Sequence, residues 1–259
     1  MTVCYADELA LAHALADAAR PVSQRYFRHA LSIDSKSDAS PVTVADRETE
    51  ALIREKIRAR FPEHGFFGEE TGQSGEDADK QWIIDPIDGT GSYVCGIPLF
   101  STLIALVDKG QPVLGLIDMP ALCERWSAVA GQPASCLGHP CHTSACTELT
   151  DARMASTTPL MFNKQEQSQI SALEETVKVR RYGTDGYGYA LLASGHLDLV
   201  IESDLKPYDY MAHAAIITAA GGVITDWQGR PLDMQSGPQV LAAANPALHR
   251  AALDLLACG

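Results

Sequence analysis

The sequence predicts a layered fold of the α/β or α+β class, with helices packed on β-sheet. Three observations carry this expectation. Short β-type runs crowd the middle of the chain, and helical and strand patterns alternate through its C-terminal half. Hydrophobic residues make up 46% against 20% charged, the balance of a chain that buries a full core. At 259 residues it is sized for one large domain or two intimately packed subdomains.

Residues 6–28 place Leu9, Ala12, Leu15, Ala16 and Ala19 on one helical stripe, and the polar stretch 32–41 ends that helix. A second helix is expected over 46–60, with Leu52, Ile53 and Ile57 as its apolar face. Asp46 stands where an N-cap would, and Phe61-Pro62 marks the end. Trp82-Ile83-Ile84 reads as a buried strand running into Asp85. Strands at 99–107 and 113–118 are joined by the hairpin-type turn Asp108-Lys109-Gly110-Gln111, and 124–130 adds another. Beyond these, helices are expected at 164–176, 185–194, 209–220 and 246–257, and strands at 197–202, 222–225 and 239–243. Gly221-Gly222 ends the third of these helices. There is no internal repeat or low-complexity tract. A single domain over 1–259 is expected, with a soft subdomain boundary near 143–156 separating an α+β half (1–145) from an α/β half (150–259).

The formal net charge of −13 argues against nucleic acid as a partner, because that recognition rests on clustered Lys and Arg. A small phosphorylated molecule is compatible with this charge if metal ions neutralise the site locally. No apolar run reaches the length of about 18 residues that a membrane span requires. The first twenty residues carry Asp7, Glu8 and Asp17 and lack a signal pattern. Seven scattered Cys suit reduced thiols, so a cytoplasmic, non-membrane protein is expected. Cys136, His139, Cys141, His142 and Cys146 invite a zinc reading. Their spacing holds no C-x₂-C pair, and the segment reads instead as a turn between short strands.

Acidic residues recur in three places where a solvated face has no need of them: Gly68-Glu69-Glu70, the hexapeptide DPIDGT at 85–90, and Asp209 at the start of a helix. A carboxylate at the end of a buried strand is costly unless it is paired or ligates a metal. Pro86 fixes the chain direction so that Asp85 and Asp88 can converge. Gly89-Thr90 then offer backbone N–H groups and a hydroxyl suited to a phosphate. Hard oxygen ligands select Mg²⁺ or Mn²⁺. The plain alternative for the hexapeptide alone is a turn with an Asp cap.

GEE at 68–70, DPIDGT at 85–90 and Asp209 before a helix ending in AGG (220–222), in this order and spacing, resemble the inositol monophosphatase superfamily. Lys36 and VTVADRETE at 42–50 extend the match over nearly the whole chain. The chain is most similar to the histidinol-phosphate phosphatase branch through Pro98, TLIAL at 102–106, PVLG at 112–115, Asp118 with Pro120, ERW at 124–126, and Tyr182-Gly183 with Asp185. LASGHLDLVIE at 192–202 and LKPYDY at 205–210 add to it, with Tyr208 where general inositol phosphatases carry Trp. Three positions depart from the branch. Gly91 stands where it tends to carry a longer, often basic residue, Met119 where Gln is usual and Ser101 where Gly is usual.

The resemblance implies a sandwich of alternating α-β-α-β-α layers, like that of fructose-bisphosphatases, and a homodimer. It implies a Mg²⁺-dependent phosphomonoesterase, with histidinol phosphate of histidine biosynthesis as the first substrate. Inositol monophosphate, a 3′-phosphoadenosine nucleotide and fructose bisphosphate are the alternatives. It assigns Glu69, Asp85 and the Ile87 carbonyl to one Mg²⁺, and Asp85, Asp88 and Asp209 to a second. A third ion arrives with substrate, and Mn²⁺ can substitute. Thr90, Asp46 and Glu69 would orient the attacking water. Asp88, Gly89, Thr90, Arg181, Asp185 and Glu202 would face the substrate. On residues alone Asp185 also fits a helix N-cap, Arg181 fits surface charge beside Arg180, and Lys36 fits a solvated loop. His196 and His213 are expected to be structural. An aspartyl-phosphate phosphatase would need Asp-x-Asp, whereas two residues separate Asp85 from Asp88. A non-catalytic phosphate binder is the remaining alternative, against which the intact ligand set argues.

Overall fold

The computed structural model describes residues 5–29, 34–35, 41–42 and 44–257. Lys36, singled out above, lies outside them. Helix α1 (Ala6–Tyr26) precedes the two-residue pair β1 (Asp34–Ser35) and β2 (Pro41–Val42), and α2 (Val44–Arg60) follows. Eight strands then form one sheet: β3 (Gly65–Gly68), β4 (Gly72–Ser74), β5 (Lys80–Asp88), β6 (Ser101–Asp108), β7 (Gln111–Met119), β8 (Glu124–Val129), β9 (Ser135–Cys136) and β10 (His139–Pro140). Their spatial order is β10-β9-β8-β7-β6-β5-β3-β4. Every pairing is antiparallel except β3 with β5. The short helix α3 (Thr90–Val94) leaves the sheet where β5 ends.

The C-terminal half builds a second sheet from β11 (Arg153–Ser156), β12 (Val179–Tyr182), β13 (Leu199–Glu202), β14 (Val223–Thr225) and β15 (Val240–Ala243), in the order β12-β11-β13-β15-β14. Strands β12, β11 and β13 run parallel. Helices α4 (Lys164–Thr176), α5 (Asp185–Ala193), α6 (Pro207–Ala219) and α7 (Pro246–Leu256) alternate with them.

Side-chain alternation shows how the layers stack. Along β5, Trp82 and Ile84 join a cluster with Leu15 and Ala19 of α1 and Ile53 and Ile57 of α2. Ile83, between them, faces the opposite cluster with Met211 and Ile216 of α6. In the second sheet Val200 and Ala242 share that central cluster. Leu199, Ile201 and Leu241 face outward onto Ile170 of α4 and Leu248 of α7. The result is the expected α-β-α-β-α succession. Helix α6, between two sheets, is apolar on every side, with eight consecutive buried residues from Tyr210 to Ile217. Contact there is tight enough that a Cβ on Gly115 would fall 2.3 Å from the Ala212 carbonyl oxygen. No helix is long and apolar enough to cross a membrane among the described residues.

Several boundaries differ from the sequence reading. Helix α2 starts at Val44, so Asp46 lies buried in its first turn and is not the N-cap. Helix α6 starts at Pro207, which places Asp209 in its first turn, its carboxylate accepting from Lys206 N at 2.7 Å. Strands β4, β11 and β12 lack an alternating pattern and were not expected. The 135–140 segment is the expected hairpin, Cys136 opposite His139. The β6–β7 turn also forms as expected, Lys109 and Gly110 both taking positive φ.

Candidate active site

The site begins with an irregularity in β5. Opposite β6, Asp85 pairs with Leu103 but Asp88 pairs with Ser101, so β5 spends one extra residue between them. In a regular strand residues three apart point to opposite faces. The bulge returns Asp88 to the side of Asp85. Thr102 Oγ1 donates to the Pro86 carbonyl at 2.9 Å and Ile87 N to Asp85 Oδ1 at 3.1 Å, which fixes the bulge. Gly89 follows with φ +80, and a Cβ there would lie 2.9 Å from the Leu99 carbonyl oxygen, so this turn requires glycine. Thr90 Oγ1 then donates back to the Ile87 carbonyl at 3.0 Å.

Helix α6 delivers Asp209 to the same place. Among the described residues, Asp85, Asp88 and Asp209 form the one group with metal-ligand spacing, one oxygen from each lying within 4.8 Å of the others. Asp85 is buried, while Asp88 and Asp209 are half-buried. Asp88 Oδ2 accepts from Ser101 Oγ at 2.8 Å and from Gly186 N, at the start of α5, at 2.7 Å.

The electrostatics of this group call for a cation. Burial, then repulsion from Glu69, Asp88, Asp209 and Asp46, pushes Asp85 well above the usual carboxylate range. Burial and the neighbouring Asp185 do the same to Asp88. Burial lifts Asp209 to about 7, against the hydrogen bond from Lys206 and with repulsion from Glu69 and Glu202. Hard oxygen donors, crowded and desolvated, are the donor set that Mg²⁺ or Mn²⁺ takes. The residues therefore fit a divalent metal.

Around this trio the structure brings Glu69 and Asp46 close enough to act on Asp85. Glu69 follows β3, whose parallel register sets Gly68 beside Ile84, and Glu69 N donates to the Ile84 carbonyl at 3.2 Å. Asp185, at φ +44, accepts from Ser92 Oγ at 3.1 Å and lies against Gly89. Burial pushes its pKa up. Glu202, at the end of β13, is buried and accepts from Thr157 N (2.8 Å), Thr157 Oγ1 (2.6 Å) and Tyr189 Oη (3.0 Å). Burial raises it to about 7. Arg181 does not join them: it is exposed on the edge strand β12, donating to the Arg180 carbonyl at 2.9 Å. Gly91 is exposed, with open space where a side chain would extend.

Sequence reasoning missed Ser92, Thr157 and Tyr189, which carry no motif of their own. Glu50 was named only as the end of the 42–50 stretch. It is buried and accepts from Glu70 N (2.7 Å), Thr71 N (2.8 Å) and Thr71 Oγ1 (2.6 Å), holding the GEE turn in place. His213, expected to be structural, is buried. It stacks on Tyr189 with ring centroids 4.1 Å apart, and burial lowers it to about 3.

Comparison with known proteins decides the family. The model of the inositol monophosphatase family matches residues 6–258. The chain belongs to the inositol monophosphatase family. This family member is a phosphoric monoester hydrolase. It is 43% identical over 256 residues to the bifunctional phosphatase IMPL2, chloroplastic, of Arabidopsis thaliana, covering 95% of this chain and 74% of that protein. It is 38% identical to a histidinol-phosphatase of Streptomyces coelicolor, over 97% of each chain. Among solved structures, an inositol monophosphatase from Zymomonas mobilis superposes with a TM-score of 0.91 at 41% identity. That match covers 99% of this chain and 100% of the other.

Proposed function

We propose that this inositol monophosphatase family member hydrolyses histidinol phosphate, with two to three Mg²⁺ ions held by Glu69, Asp85, Asp88, Asp209 and the Ile87 carbonyl, and Mn²⁺ able to substitute. The observation that carries the substrate reading is the pair of carboxylates beside the aspartate trio, half-buried Asp185 and buried Glu202. Two anionic acceptors at the leaving-group end suit a substrate whose alcohol bears an ammonium group. Relatives named histidinol-phosphatase, including those of Chlorobaculum parvum and Mycobacterium tuberculosis, support it. Inositol monophosphate is the second reading, favoured by the Zymomonas mobilis structure and by the missing side chain at Gly91.

Bound Mg²⁺ supplies Lewis acidity to the phosphoryl oxygens and acidity to a coordinated water. The chain's own residues do the rest. Thr90 donates its hydroxyl hydrogen to the Ile87 carbonyl, so its lone pairs remain to accept a hydrogen bond from the attacking water. Asp46 and Glu69 would orient that water and draw off its proton. Backbone N–H groups following Gly89 meet the phosphate oxygens. Direct attack by water needs no phosphoenzyme, in keeping with the two-residue gap between Asp85 and Asp88. The same resemblance supports a cytoplasmic homodimer, which sedimentation and fractionation would check.

Asp185→Asn tests the substrate reading. It removes one anion facing the ammonium and should raise KM for histidinol phosphate about 10-fold or more, with a much smaller change for inositol 1-phosphate. Equal losses on both substrates would contradict it.

A further inference from the structure

The parallel strands β12, β11 and β13 end together, and the next rung of their ladder is built around one residue that no motif marks. Register pairs Ala155 with Val200 and Ser156 with Tyr182. Continued by one and two positions, it sets Thr157 between Gly183 and Glu202. Thr157 is bonded to both sides. Gly183 N donates to its carbonyl at 2.8 Å, while its N–H and hydroxyl both donate to Glu202 Oε1, at 2.8 and 2.6 Å. Gly183, held by the first of these bonds, lies two residues before Asp185, so Thr157 ties the chain that carries Asp185 to the carboxylate of Glu202. Ligands of parallel sheets gather at this carboxyl end.

A threonine hydroxyl carries one hydrogen. Here the short contact to Glu202 takes it. Tyr189 Oη supplies one further donor, to Glu202 Oε2, and Ser92 supplies one to Asp185. Each carboxylate is left with acceptor capacity, which donors on a substrate can meet. From this arrangement, and resting on the reading of Asp185 and Glu202 as the leaving-group end, we infer that Thr157 is a positioning residue for substrate choice. It fixes the relative placement of Glu202 and Asp185 so that the site selects phosphate esters whose alcohol carries N–H or O–H donors.

The test compares Thr157→Val, which keeps the branched shape and the N–H but deletes the hydroxyl, with Thr157→Ser, which keeps the hydroxyl. Each is assayed with Mg²⁺ on histidinol phosphate, inositol 1-phosphate and p-nitrophenyl phosphate, whose leaving group has no donor. Losing a charge-assisted hydrogen bond to Glu202 corresponds to about 10- to 100-fold. The expected result for Thr157→Val is a rise of that size in KM for the donor-bearing substrate that the wild type prefers. The kcat for p-nitrophenyl phosphate should stay within about threefold, and Thr157→Ser should restore the wild-type ratio. Equal loss on all three substrates, or an unchanged ratio, overturns the inference. Loss of folding, seen as a lowered Tm in Thr157→Val, moves the decision to Thr157→Ser and to Tyr189→Phe. The first must retain the ratio and the second, which removes the other donor to Glu202, must shift it. A wild type that prefers inositol 1-phosphate would remove histidinol phosphate as substrate and leave Thr157 to be judged on donor-bearing against donor-free esters.

Discussion

Asp88 sits where a half-buried carboxylate is costly, and its two donors, Ser101 Oγ and Gly186 N, offset only part of that cost. Its raised pKa states the same imbalance: without a cation, the ionised form strains the fold. Asp88→Asn should therefore act in two directions. Turnover should fall on the order of 10³-fold or more, because a ligand of the proposed metals is gone. The Tm of the chelator-treated protein should rise by about 2–4 °C for each kcal/mol of repulsion relieved. Steady-state rates and calorimetry check both, and near wild-type turnover would remove Asp88 from the site. DPIDGT was legible in the sequence because Asp85 and Asp88 are near neighbours and the strand before them is plainly apolar. Thr157 and Tyr189 were not, because each reaches Glu202 only through the fold, from 45 and 13 residues away.

Among the elements, those with a wet face and a dry face announced themselves, and the exceptions have physical reasons. Strand β12 reads Val-Arg-Arg-Tyr and lies at a sheet edge with its last three residues exposed, so no alternation marks it. Helix α6 was visible from its end signals, but its lack of a polar face shows only once it lies between two sheets. Asp198, just before β13, shows how elements are joined. Fully buried, it accepts from Arg153 N (2.7 Å), Arg153 Nε (2.8 Å), Arg153 Nη2 (2.9 Å) and the Ser144 hydroxyl, tying both ends of the 143–156 connection to one point. Burial alone would push Asp198 up, but these donors outweigh it and hold its pKa below the usual carboxylate value. Asp198→Ala should cost about 2–4 kcal/mol, measured by urea unfolding, since it leaves buried donors unpaired. A loss under 0.5 kcal/mol, the scale of a surface change, would show that the network is incidental.

For the whole molecule, a net charge of −13 and a cluster of crowded carboxylates make stability depend on protons and cations together. Asp209 titrates near 4 when unfolded and near 7 in the metal-free fold. Between those values the native state holds a proton that the unfolded state has released. The metal-free protein should thus lose stability as pH rises from about 4 to 7. Mg²⁺ should raise the Tm most near pH 7 and least near pH 5, read by calorimetry with and without chelator. A pH-independent Mg²⁺ effect would contradict this. We propose that the chain unfolds as one domain with a soft boundary near 143–156, for which the same scans should give a single transition.

We propose a metal-dependent phosphatase in which the carboxylates of Asp185 and Glu202 select an ammonium-bearing alcohol. The most direct measurement is kcat/KM for histidinol phosphate and for inositol 1-phosphate, in Mg²⁺ and after its removal by chelator. The expected result is hydrolysis that requires Mg²⁺ and favours histidinol phosphate by about 10-fold or more. Equal or higher kcat/KM for inositol 1-phosphate, or hydrolysis that survives chelation, would contradict it.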